Sequence, residues 1–148
     1  MMARYRSILA LILAFVATFV VSCSSPTEVK AKTYTPTQIE QIEQYAQGIS
    51  ALRDRLPELA TMIENRDWNN VESFIHGPLG DIRARMSALA RQLMPDAQKA
   101  ALETAKDVFG HFIKIDESAQ TGSYTQAIRN YAELIKDFDA FLNQIPKA

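Results

Sequence analysis

From Thr35 to Ile145 the apolar residues recur at intervals of three and four, and no segment alternates with a period of two. That spacing lays one apolar stripe along a helix and gives a β-strand nothing to bury on one side. The first stripe is Ile39, Ile42, Tyr45 or Ala46, Ile49, Leu52, Leu56, Leu59 and Ile63. Thr35-Pro36-Thr37-Gln38 opens it as a capping box with proline at the first helical position. A second start at Asp67 leads into Trp68, Val71, Phe74 or Ile75, Leu79, Ile82, Met86, Leu89 and Leu93, closed by Pro95. Asp96 is then expected to cap a third helix carrying Ala101, Ala105, Val108, Phe112, Ile115 and Ala119. Gly122 stops it, and Ser123 with Gln126 reads as another capping box. The fourth stripe is Tyr124, Ile128, Tyr131, Ile135, Phe138, Leu142 and Ile145, ended by Pro146. Four amphipathic helices with short connections imply an all-α fold over residues 35–146, an up-down-up-down four-helix bundle roughly 35–40 Å long.

Two interruptions test that plan. Pro57 cannot donate to the carbonyl of Arg53, so a kink is expected there. Phe74 to Arg83 reads FIHGPLGDIR, with Gly77, Pro78 and Gly80 inside a helical pattern. Because Ile75, Leu79 and Ile82 stay in phase, the expectation is a kink within a continuous helix. A neighbour pressing on Gly77 and Gly80 would account for the glycines; a tolerated irregularity is the plainer reading.

The N-terminus follows different rules. Arg4 and Arg6 precede an uncharged, mostly apolar run of fourteen residues, Ile8 to Val21. A membrane span needs about 20 such residues, so the run suits a cleaved leader over residues 1–22. It ends in Val20-Val21-Ser22-Cys23, which resembles a bacterial lipobox. The resemblance implies a diacylglycerol thioether on Cys23, cleavage before it, and a further acyl chain. Two or more chains anchor a protein stably where one is marginal. Residues 23–34, which contain Ser, Pro, Lys and Thr and have no apolar period, read as a lipidated flexible tether. Cys23 is the only cysteine, which excludes an intrachain disulfide. Charge is balanced at 16 Lys+Arg against 17 Asp+Glu, and loss of Arg4 and Arg6 takes the basic count to 14. Such a chain lacks the basic surplus that nucleic-acid binding requires.

Chemistry-bearing constellations are scarce. Nothing suggests a Ser-His-Asp triad, a Cys-His pair, a phosphate-binding glycine loop or a haem-attachment motif. The only two histidines each have a carboxylate four residues before them: Glu72 with His76, and Asp107 with His111. Each pair shares a helix face and could give two ligands to zinc or calcium. Exposed His–carboxylate pairing is the plainer account. A haem between His111 and Met62, Met86 or Met94 is conceivable, but methionines on apolar stripes are ordinary core filler. Arg83, Arg85 and Arg91 could form a docking patch for an acidic surface, or simply a solvated face with Asp81 paired to Arg85. Trp68 suits the end of the bundle core.

Taken together, several features resemble the cyanobacterial PsbQ-like branch of the PsbQ family. They are the lipobox leader, the polar tether, the Tyr-Thr-Pro helix start at Tyr34, Ile75-His76-Gly77-Pro78-Leu79-Gly80, Val108-Phe109-Gly110-His111, and Asp137-Phe138-Asp139-Ala140-Phe141-Leu142-Asn143. The resemblance implies a four-helix bundle, lipid-anchored on the lumenal side of the thylakoid membrane. It further implies an extrinsic photosystem II subunit, in contact with the core and other extrinsic subunits. Such a subunit helps stabilise the manganese–calcium cluster without ligating it and supports water oxidation when calcium or chloride is scarce. Chloroplast relatives share the bundle but not the lipobox or the HGPLG run. An enzyme is not implied, nor a cofactor of the chain's own. The alternative from the residues alone is an exported helical lipoprotein acting as an adaptor or divalent-metal buffer.

Overall fold

The computed structural model describes residues 33–147; the leader, Cys23 and most of the tether lie outside the described residues. Every regular element among the described residues is helical. They are α1 (Pro36–Arg53), α2 (Leu56–Glu64), α3 (Trp68–His76), α4 (Ile82–Ala90), α5 (Pro95–Thr121) and α6 (Tyr124–Asn143). α2 packs on α3 and α1 on α4, so the first half of the chain folds back along itself. α5 lies against both α3 and α4, α6 runs along α5, and α6 closes onto α2 and α1.

One continuous core fills the space between these helices. Its largest wholly buried side chains include Phe138, Phe141, Leu56, Met86, Ile115 and Leu134, each worth about 1.5–3 kcal/mol of burial. The α5 stripe is buried at every expected position, from Ala101 to Ala119. The α6 stripe is rotated relative to expectation. Ala127, Leu134, Phe138 and Phe141 are buried, while Tyr124, Ile128, Tyr131, Ile135 and Leu142 are only partly so. α6 meets α5 on one flank and α2 on the other, so its buried arc is centred between two neighbours. On α1, Ala46 rather than Tyr45 packs against the core.

The caps are mixed. The Thr35–Gln38 capping box forms, with the Thr35 N–H donating to Gln38 Oε1 at 2.9 Å and the Gln38 N–H to Thr35 Oγ1 at 3.3 Å. Asp96 does not cap α5: Met94 is the N-cap, Pro95 takes the first position, and Asp96 lies in the first turn, where its charge suits the helix dipole. Ser123 makes no side-chain cap bond. Its N–H is used instead, donating to Ser118 O at 2.8 Å beside the Gly122 N–H to Ala119 O at 3.2 Å. With Gly122 at φ 67° this is a Schellman stop. A second one closes α2, where Asp67 N–H reaches Met62 O and Arg66 N–H reaches Ile63 O. There the left-handed position, φ 54°, is held by Arg66.

Both expected kinks are breaks. α1 ends at Arg53, whose carbonyl Pro57 cannot serve, and α2 restarts with Pro57 in its first turn, where no N–H is needed. α6 fastens the gap: Arg53 donates twice to Asp139, at 2.7 and 3.0 Å, and the Tyr131 hydroxyl donates to Leu56 O at 3.2 Å. The second break spans residues 77–81. Pro78 offers no donor, so Leu79 N–H reaches back to Phe74 O at 3.2 Å, and Gly80 and Ile82 then bond three residues back. Ile75, Leu79 and Ile82 remain buried across it, so the phase holds although the helix does not. The glycines answer to the chain's own backbone. A Cβ on Gly77 would stand 2.7 Å from Ser73 O, and one on Gly80 would stand 2.5 Å from His76 O.

Two outcomes test this description. Gly80→Ala should destabilise the fold by more than about 1 kcal/mol in urea melts, because the backbone must shift to admit the methyl. Tyr131→Phe should lose about 1 kcal/mol at neutral pH. Burial raises the Tyr131 pKa above the ordinary tyrosine range. Its stabilising contribution is therefore full below that range and fades as pH rises through the folded value. The Phe variant should lack that part of the alkaline loss in melts taken across pH.

Candidate functional site

Neither histidine pairs with the carboxylate on its own helix. His76 Nε2 lies 3.0 Å from Asp116 Oδ1 on α5. His111 Nε2 lies 3.2 Å from Asp137 Oδ2, and its Nδ1 is 3.2 Å from Asn130 Oδ1, both on α6. The expected Glu72–His76 and Asp107–His111 pairs are thus replaced by cross-helix contacts. An exposed i,i+4 pair gains only about 0.3–0.5 kcal/mol. The Asp116 side chain is 17 % exposed, and a carboxylate so enclosed gains more from a partner. Among the described residues no three His, Cys, Asp or Glu side chains gather to hold an ion. Zinc or calcium would find two ligands at either histidine. Of the groups considered for haem, both His111 nitrogens face α6, Met86 is wholly buried, Met62 packs against the core and Met94 is the half-buried N-cap of α5.

The three arginines are separated. Residues two apart on a helix point about 200° apart. Arg83 faces α5, its guanidinium 5.4 Å from the centre of the Phe109 ring. Arg85 faces α1: it binds Asp81 at 2.7 Å and lies over Gly48, where a Cβ would meet its Nη1 at 3.1 Å. That hydrogen bond holds the Asp81 carboxyl below the usual carboxylate range. Arg91 caps the far end of α4 and is exposed. The expected patch of Arg83, Arg85 and Arg91 therefore does not form as one surface.

A different surface does form where the 77–81 break meets α5. A cleft of about 340 Å³ is lined by Leu79, Gly80, His76, Arg83, Phe109, Ile113 and Asp116, among others. A neighbouring groove of about 430 Å³ shares Arg83, Phe109 and Ile113 and adds Leu102, Lys106 and Gly110. His76, Gly80 and Arg83 thus come together, while Gly77 lines neither hollow. Leu102, Phe109 and Ile113 escaped the reading of the sequence. Their signal was a second row on α5, each one residue beyond a buried Ala101, Val108 or Phe112. The surface joins apolar floor to positive charge and holds no nucleophile beside a base. Such a surface is suited to binding. Trp68 packs partly buried against the core, its Nε1 within 3.7 Å of where a Gly122 Cβ would stand, at the end of α5.

Known proteins agree with that character. Residues 3–146 match the PsbQ family, described as oxygen evolving enhancer protein 3. Over 148 residues the chain is 42 % identical to CyanoQ of Synechocystis, covering 99 % of each sequence. With a family match and a relative of that extent, the chain belongs to the PsbQ family, one of structural extrinsic photosystem II subunits and not of enzymes.

Proposed function

We propose that this protein is a lipid-anchored extrinsic subunit on the lumenal side of photosystem II, and that it steadies the oxygen-evolving complex by contact. The observation that carries the reading is the family match over residues 3–146, joined to 42 % identity with CyanoQ. α1 with α2 makes one interrupted rod and α3 with α4 another. With α5 and α6 they compose the four rods of an up-down-up-down bundle. Cys23 carries the acyl chains, and the tether ends by Tyr34, which packs against the core and whose hydroxyl accepts from the Met94 N–H at 2.9 Å. The manganese–calcium cluster belongs to the photosystem, and this chain supplies it no ligand. A lipid tether helps because it keeps the bundle at high local concentration near its partner.

Tagged protein drawn from detergent-solubilised thylakoids should bring down photosystem II core subunits and the other extrinsic subunits. Recovery of unrelated envelope proteins instead would support a general adaptor. Cys23→Ala should move the protein from the membrane to the soluble fraction. Cells lacking the protein should evolve oxygen normally in full medium and more slowly once calcium or chloride is withheld; equal rates under both conditions would reject the stabilising role.

A further inference from the structure

We propose that the α4–α5 face is the docking surface, and that it receives an apolar protein segment flanked by carboxylates. The proposal rests on the photosystem II reading above and adds which face is used and what the partner must present there.

Three large hydrophobic side chains are exposed among the described residues: Tyr45 at 44 %, Leu102 at 38 % and Ile113 at 56 %. Two of them flank Phe109 on α5. Positions 102, 106, 109 and 113 fall on one row of the helix, beside the buried row that the core already uses. Phe109 is partly buried against the core, but Leu102 and Ile113 on either side of it stay exposed, and the fold gains little from those two.

Gly110 adds an independent observation. Glycine inside a helix is disfavoured relative to alanine. Gly48, Gly77 and Gly80 are hemmed in by neighbouring atoms, and Gly122 has a positive φ. At Gly110 a Cβ would meet nothing within 4 Å. Nothing inside the protein calls for a glycine there, yet it lines the groove. A partner lying close against the helix would call for one.

Charge selects the partner. Arg83 and Lys106 both line the groove, and neither joins an ion pair among the described residues. Asp116, the carboxylate in the adjoining cleft, is occupied by His76 and by Gln120, which donates to it at 3.2 Å. Glu103 and Asp107 line neither hollow. The groove is thus a positive, apolar patch on a chain whose formal net charge is −1. A second copy docking through the same face would set Arg83 and Lys106 near their own images, since a two-fold interface uses one patch twice. An anionic bilayer is recruited by clusters of about four to eight basic residues, more than this face offers. An acidic, apolar protein segment satisfies both features.

The test is reconstitution. Photosystem II purified from cells lacking this protein is titrated with the full mature chain at several salt concentrations. Ile113→Glu and Arg83→Glu should each weaken binding by about tenfold or more. Arg83→Gln should flatten the dependence on salt. Gly110→Leu should weaken binding while leaving the melting temperature equal or higher, which separates docking from folding. Tyr45→Ser, on α1, should bind as the wild type does. Wild-type affinity in the Ile113, Arg83 and Gly110 variants overturns the proposal, as does loss only with Tyr45→Ser. So does retention of photosystem binding by variants that lose self-association or adhesion to anionic vesicles. A wild-type chain that fails to bind at all overturns the photosystem reading itself, and this proposal with it.

Discussion

α5 is the helix on which the described fold depends. It runs 27 residues without interruption, and α3, α4 and α6 all pack against it. Its apolar buried row has small residues at its ends and larger ones between: Ala101 and Ala105 at one end, Val108, Phe112 and Ile115 in the middle, Ala119 at the other. Small residues let neighbouring helices approach, and large ones fill the space where they diverge. α5 spans the break between α3 and α4, while α6, packed on both α2 and α1, spans the break between those two.

The breaks are consequences of proline chemistry absorbed by that framework. Each proline removes one donor, and the chain responds by ending a helix rather than bending it. At Pro57 the cost is offset by contacts from α6, chiefly the twofold Arg53–Asp139 pair and the Tyr131 hydroxyl on Leu56 O. The Arg53 pair is part-exposed, so its share is modest, about 1 kcal/mol or less. The aromatic burial around it matters more. At Pro78 the backbone satisfies itself, with Leu79 reaching past the proline to Phe74 O. That widened turn carries His76 across to Asp116 and leaves Gly80 and Arg83 on the rim of the α4–α5 cleft. The break therefore shapes a surface feature that a continuous helix would not provide.

Much of this was legible from residues alone, for identifiable reasons. The helical class, the Thr35 capping box, the Gly122 stop and the apolar buried row of α5 follow from local chemistry and a 3.6-residue period; buried Ser118, whose hydroxyl donates to Lys114 O, does not. What failed to show depends on neighbours. Whether proline kinks or breaks a helix depends on whether other groups serve the freed carbonyl. The α2 stop was hidden because Arg66 stands in a left-handed position that glycine usually holds. α6 was assigned a stripe centred on the wrong residues because its apolar arc is wide and two neighbours share it. The partners of His76 and His111 lie 40 and 26 positions away along the chain, and no spacing rule reaches that far. The arginines looked like a patch in one dimension and are parted by the helix in three. The site was half visible: His76, Gly80 and Arg83 were named, while Leu102, Phe109 and Ile113 were passed over because one α5 stripe already accounted for the core.

The exposed second row on α5 bears on how a protein without chemistry of its own can be specific. Its information must lie in shape and in exposed side chains that folding does not require. A core residue is fixed by packing, so its identity says little about a partner. Leu102 and Ile113 are exposed, and Gly110 sits in a helix with open space above it. Each is a residue that stability by itself would exchange for something else: a polar side chain at the first two, an alanine at the third. The interrupted rods, the shared α5 and the α6 fastenings hold these positions in one arrangement before any partner arrives. A surface set in advance loses little conformational freedom on binding, so a small apolar groove beside Arg83 and Lys106, which join no ion pair among the described residues, can discriminate between partners.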